Sequence, residues 1–280
     1  MPLMPGARRS RKRALEILLS IHQPEDLLRC AVLLERPFTE TVEVDGETFE
    51  VWLKPPGTRP AGPKVGRHLG TGFLVSAGDQ AFLVTAGHVA RRMDDRASLS
   101  CANSTGRRTT LGLGKLLAGR RRKVPWQFHH EGDVAALRLP TLPADLRGRF
   151  LDVELVARQT AVPASTLDLV AVGFPLGLVN EAHFTPITKR FHAASGILRF
   201  RGEEMRHAGN FFLLDQPTVG GYSGAPVFVT PQARFETTGQ VTMIAARCVG
   251  LISQTISSEV GGQFAAVVPG SVIRSLLALP

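Results

Sequence analysis

The sequence predicts a mainly β protein, and three observations carry that reading. Apolar runs are short, turn signals recur roughly every 8–12 residues, and glycine (28) and proline (19) are plentiful, which suits a β-sandwich or barrel better than alternating strands and helices. A chain of 280 residues that is 44% hydrophobic and 20% charged buries a sizeable core, so disorder throughout is excluded. One large or two small units are expected at this length.

The elements follow in order. From about Ser10 to Arg36 the pattern is helical, with Leu15, Leu18 and Leu19 on one face. Pro24, Glu25 and Asp26 then open a second helix whose face includes Leu27, Leu28, Ala31 and Leu34 and which Pro37 stops. This extension, residues 1–37, is expected to cap the next domain or to dock a partner protein. "TVEVDGETFEVWLK" alternates around Asp45 and Gly46, a hairpin signal, and "PPGTRPAGPKVG" is too rich in proline and glycine for regular structure. Short strands fill the rest, and "PGSVIRSLLALP" closes the chain as a helix with Ser271 near its start. Proline-rich "RLPTLPADL" and the polar stretch to Pro163 divide the strands into two sets, 38–150 and 151–280.

Charge and cysteines narrow the function. The net charge of +9 owes much to two runs, "RRSRKR" (Arg8 to Arg13) and "GRRRK" (Gly119 to Lys123). No aromatic residue interleaves with the first run, so these read as solvated arms or loops, and a nucleic-acid partner is not expected. Cys30, Cys101 and Cys248 are odd in number and lack metal-ligand spacing, so they read as core thiols in a reducing compartment. "ALEILLSI" is short, carries Glu16 and precedes no small-residue cleavage site, and no apolar run approaches the ~20 residues of a membrane span. A cytoplasmic protein without metal or cofactor is the expectation.

The chemistry is concentrated around "VGGYSGAPVF", Val219 to Phe228. A serine is a weak nucleophile at neutral pH and needs a general base in reach, with a third group to orient that base. All eight histidines precede Ser223, and position 225 is alanine, so the α/β-hydrolase order and its G-x-S-x-G elbow both fail. A subtilisin-type order needs an aspartate before the histidine; Asp79 is the nearest, inside a turn, and the doubly wound sheet is absent from the pattern. "LVTAGHVA" sets His88 directly after an apolar strand, and "EGDVAALRL" sets Asp133 at the mouth of a buried one. His129 and His130 lie near Asp133 in sequence but follow no such strand and turn.

Taken together in the order His, Asp, Ser, these segments resemble a trypsin-like serine peptidase of the chymotrypsin fold, most similar to the HtrA/Deg-type protease domain. The likeness covers roughly residues 65–280 and includes "GTGFLVSAGDQAFLVTAGHV", "GDVAALRL", "AVGFPLGL", "LLDQPTVGGYSGAPVF" and "VGLISQ". It implies two six-stranded antiparallel barrels, the first (38–150) carrying His88 and Asp133, the second (151–280) carrying Ser223 and a terminal helix. It further implies Ser223 as nucleophile, His88 as base and then acid, and Asp133 as the group holding the imidazole. The backbone N–H groups of Gly221 and Ser223 would form the oxyanion hole, Pro217 would lie at the base of the primary specificity pocket, and Ser253 on the strand that pairs with substrate, its hydroxyl in reach of Asp133.

Two departures qualify what the resemblance implies. Pro217 is not an acid, so a small or medium apolar side chain is expected before the cleaved bond rather than Arg or Lys. Tyr222 stands where digestive relatives carry an aspartate that pairs with a newly cut N-terminus, so that activation switch cannot operate. No peptide-sensing PDZ-like segment follows the peptidase within the chain. The alternative is a catalytically silent fold of the same kind that binds peptides or proteins, and a third reading makes the basic arm a targeting element.

Overall fold

The computed structural model describes residues 27–278 except 40, 45–46, 51–64, 118–123, 141, 203–204, 206, 236–240 and 258–262. The first expected helix, both basic runs and most of the proline-rich linker lie outside the described residues. The first half of the chain contains β1 (Ala31–Thr39), β2 (Thr41–Val44), β3 (Glu47–Glu50), β4 (Val65–Ala77), β5 (Gln80–Thr85), helix α1 (Gly87–Arg92), β6 (Ser98–Ala102), β7 (Arg108–Gly112), helix α2 (Leu113–Leu116), β8 (Gln127–Phe128), β9 (Ala135–Arg138) and β10 (Leu151–Asp152). The second contains β11 (Leu169–Gly173), β12 (Ile187–Phe191), β13 (Leu198–Phe200), β14 (Gly209–Leu214), β15 (Pro226–Val229), β16 (Gln232–Phe235), β17 (Val241–Ile244), β18 (Arg247–Ser257), β19 (Gln263–Pro269) and helix α3 (Gly270–Leu277).

The fold is mainly β, as expected, and its strands form two large antiparallel sheets. The first runs β7-β6-β1-β4-β5-β9-β8, with β10 parallel beside β4; the second runs β12-β11-β15-β18-β19-β14-β13. A bridge between Ala193 and Leu214 brings the chain beyond β12 back to β14, so the second sheet closes on itself as a barrel. Short edge strands such as β7, β8 and β13 take the sheets to eight and seven strands, above six each. The hairpin expected at Asp45 and Gly46 is the antiparallel pair β2–β3.

Ala31–Thr39 is a strand, which corrects the second helix expected to run to Pro37, and the first sheet therefore begins before residue 38. Ala31, Val32, Leu33 and Leu34 are all buried, and a short continuous apolar run reads equally as buried strand or helix. Pairing decides the matter: β1 lies against β4 over all nine residues and against β6 at Leu33 to Glu35. Pro37 is tolerated because pairing with β6 has already stopped there, so its missing N–H removes no ladder bond.

Six phenylalanines, Phe73, Phe174, Phe191, Phe211, Phe212 and Phe228, are fully buried. Each stabilises the fold by about 1.5–3 kcal/mol relative to exposure. Helix α3 starts at Gly270, one residue before Ser271, with Pro269 as its cap, and buries Ile273, Leu276 and Leu277. The two barrels are joined at one point that matters below: the N–H of Thr71 in β4 donates to the carbonyl of Ser223 at 2.9 Å.

Candidate active site

Strand β5 ends at Thr85, Ala86 stays extended, and the chain turns into α1, which places His88 in the first helical turn. Its backbone N–H donates to Asp133 Oδ1 at 2.9 Å, and its Nδ1 lies 2.7 Å from Asp133 Oδ2. An ionised carboxylate only accepts, so the ring proton sits on Nδ1 and Nε2 is left as an acceptor. Ser253 Oγ donates to the same Oδ2 at 2.7 Å. Burial of Asp133 opposes its charge, but the hydrogen bonds from His88 and Ser253, with the attraction of the imidazole, outweigh it and hold the carboxyl below the usual range.

Ser223 is half-buried in a loop whose backbone is held almost atom by atom. Gly221 has φ 97°, and a Cβ there would lie 2.4 Å from the carbonyl oxygen of Phe174; only glycine fits. From Pro217 to Ser223 every carbonyl has a donor. Pro217 O accepts from Lys189 Nζ at 2.6 Å and Thr218 O from Thr255 Oγ1 at 2.9 Å. Val219 O accepts from Tyr222 N at 3.3 Å and Gly220 O from Leu176 N at 2.7 Å. Gly221 O accepts from Thr71 Oγ1 at 2.7 Å, Tyr222 O from Ala225 N at 2.8 Å and Ser223 O from Thr71 N at 2.9 Å. By contrast, among the described residues the N–H groups of Gly221 and Ser223 make no hydrogen bond.

Tyr222 is a buried anchor of this loop. Its hydroxyl donates to Ile187 O at 3.3 Å, and burial pushes the phenol up to about 12, so it stays neutral where an aspartate would be charged. Leu176 is the one non-glycine at positive φ (54°) among the described residues, and its amide is the one that reaches Gly220 O.

Of the residues expected at the site, His88, Asp133 and Ser253 are in direct contact, and Gly221 and Ser223 present their N–H groups from one loop. Pro217 lies at the start of that loop. His129 is placed elsewhere: Glu131 N–H donates to its Nδ1 at 3.1 Å, so its Nε2 carries the proton and donates to Ser275 Oγ at 3.0 Å, and it cannot serve that serine as a base. His130 is exposed and stacks on His129. Sequence reasoning missed Thr71, Lys189, Leu176 and Thr255, whose parts in the loop come from contacts 28 or more residues away in the chain. Among the described residues no cluster of three or more His, Cys, Asp or Glu side chains could hold a metal ion, and no helix is long and apolar enough to cross a membrane.

Two antiparallel β sheets, a histidine after a buried strand of the first and a glycine-lined serine loop on the second define the trypsin-like class of fold. The family model of the trypsin-like peptidase domain matches residues 70–234, more than half of the chain, and the chain belongs to that family. Solved structures are similar over most of the length at 14% identity. They include the inactive form of Rv3671c from M. tuberculosis H37Rv (TM-score 0.49, covering 92% of this chain and 91% of that one). The apo MamO protease domain from Magnetospirillum magneticum (0.48; 90% and 98%) and the HtrA-type protease AlgW with a tripeptide (0.44; 89% and 59%) are further examples. No curated protein matches the chain.

Proposed function

We propose that the chain is a serine endopeptidase that hydrolyses peptide bonds of protein substrates through Ser223, His88 and Asp133. The observation that carries this reading is the 2.7 Å contact of His88 Nδ1 with Asp133: the carboxylate, buried and held ionised, accepts the hydrogen bond of Nδ1–H, which keeps the proton on Nδ1 and leaves Nε2 free to accept one from a hydroxyl. Ser223 Oγ attacks the carbonyl carbon and its proton passes to Nε2; the oxyanion then lies against the N–H groups of Gly221 and Ser223. Collapse breaks the C–N bond, His88 returns the proton to the leaving amine, and water hydrolyses the acyl-enzyme by the same steps. No hydrogen bond joins Ser223 to His88 among the described residues, the one observation on the side of a silent binding module; contacts of this kind often close only on the substrate complex.

Extended polypeptide is the substrate class that fits. Pairing of β15 with β18 ends at Leu251 while β19 stays paired to Ser257, so among the described residues no strand pairs with the other edge of β18 from Ser253 onward, which suits an added strand. The Lys189 ammonium on the carbonyl of Pro217 opposes a basic side chain before the cleaved bond, and with Pro217 in place of an acid a small or medium apolar group is the proposed preference. All three cysteines are free and buried, which supports a cytoplasmic setting. Cleavage-site profiling of a peptide library tests this: cuts after Ala, Val or similar residues, lost in Ser223→Ala, are expected, and cuts after Arg or Lys contradict the specificity.

A further inference from the structure

We propose that the hydroxyl of Thr71, a residue of the first sheet, is the positioning group for the oxyanion peptides of the second. The inference rests on the peptidase reading above and goes beyond it by naming what holds the oxyanion loop in register.

A peptide unit is planar and trans, so fixing a carbonyl also fixes the following N–H in the opposite direction. Three successive units build the oxyanion loop. Gly220–Gly221 is held through Gly220 O by Leu176 N, and Tyr222–Ser223 through Tyr222 O by Ala225 N; both donors are backbone groups of the same barrel. The middle unit, Gly221–Tyr222, has on its N–H side only the long bond from Tyr222 N to Val219 O at 3.3 Å, and its carbonyl, Gly221 O, is held by a side chain, the Thr71 hydroxyl at 2.7 Å. With glycine at 220 and 221 the backbone here has little conformational preference of its own, so an external grip must choose among its orientations.

Thr71 is built for that grip. It is fully buried, so water cannot replace it. Its hydroxyl accepts from Phe174 N at 3.0 Å while donating to Gly221 O, its N–H donates to Ser223 O, and its carbonyl accepts from Thr85 Oγ1 at 2.6 Å. The direction of the hydroxyl proton is therefore set: Phe174 can only donate, so the Thr71 O–H points at Gly221. Without it, the middle unit keeps only the long Tyr222–Val219 bond, and its tilt pulls the N–H groups on both sides of it off the developing oxyanion against the Leu176 and Ala225 bonds.

The test is the rate at which a fluorophosphonate probe labels wild-type protein, Thr71→Val and Thr71→Ser. In that reaction Ser223 Oγ attacks phosphorus, the P–F bond breaks, fluoride leaves and the serine proton goes to His88, while the P=O oxygen occupies the oxyanion site. Saturation kinetics separate the bonding step from probe binding, and a circular-dichroism melt reads folding. Loss of a direct oxyanion donor typically costs about 10²–10³ in rate, so loss of its positioning group is expected to slow the bonding step about 10–100-fold with probe affinity within about threefold. Thr71→Ser, which keeps the hydroxyl, should stay within about threefold of wild type. A Thr71→Val protein that labels at the wild-type rate, or a folded Thr71→Ser protein as slow as Thr71→Val, overturns the inference. If Thr71→Val does not fold, Thr71→Ala takes its place under the same criteria. Failure of the wild-type protein to label overturns the peptidase reading, and this inference with it.

Discussion

His88 and His192 make the same contact in different halves of the molecule. In the first, the backbone N–H of His88 reaches Asp133 Oδ1 at 2.9 Å and the ring Nδ1 reaches Oδ2 at 2.7 Å; in the second, His192 reaches Asp215 Oδ1 and Oδ2 at 2.9 and 3.2 Å. The surroundings differ. The Asp133 side chain is 3% exposed and shares Oδ2 with Ser253, whereas that of Asp215 is 35% exposed. The far nitrogen of His192 lies 3.3 Å from Asp168, so a carboxylate faces each side of its ring; among the described residues no carboxylate pairs with the far nitrogen of His88. The proposed reading makes a base of the first pair alone, because there burial fixes one ring nitrogen and leaves the other an acceptor. At the exposed copy the same geometry is a surface clasp between β11, β12 and β14.

Five substitutions break or sharpen this comparison. His88→Ala should cut kcat/KM by about 10⁶, because nucleophile and base act as one unit, while His192→Ala should stay within about twofold; peptide hydrolysis measured on both variants checks this. Asp133→Asn should cost about 10⁴ by stabilising the wrong tautomer at His88, against less than threefold for Asp215→Asn. Ser253→Ala removes one hydrogen bond to the buried carboxylate and should lower kcat about tenfold, in keeping with the ~1.5 kcal/mol of a bond to a charged group.

The smallest effect concerns stability. Hydrogen bonds from Arg36 and Arg96 hold Asp94 well below the usual carboxylate range, at about 2. A depressed folded-state value means the stabilisation is present above about pH 4 and is lost as pH falls toward 2. With Asp94 about a third exposed, screening reduces it to about 1 kcal/mol. Arg36→Met should flatten this acid limb of the urea-unfolding curve and leave fluorophosphonate labelling unchanged.

The positions of His88, Asp133 and Ser223 were legible because each sits at a strand boundary, where local sequence decides the turn. Tyr222 was legible as a departure, and burial then explains how the loop accommodates it. Thr71 was not legible: "GTGF" reads as strand, and its hydroxyl gains meaning only from a partner 150 positions away. Leu176 at positive φ is equally silent, since nothing in "FPLGL" sets the chain apart from an ordinary turn. β1 was misread for a related reason: Ala31 to Leu34 fit helix and buried strand alike, and only pairing with β4 and β6 separates the two.

Intact-protein mass spectrometry after fluorophosphonate treatment tests the central claim most directly. The account predicts one phosphonyl adduct, located at Ser223 by peptide mapping and absent from both Ser223→Ala and His88→Ala but retained in His192→Ala. An unmodified wild-type protein, or an adduct that survives Ser223→Ala, would contradict it.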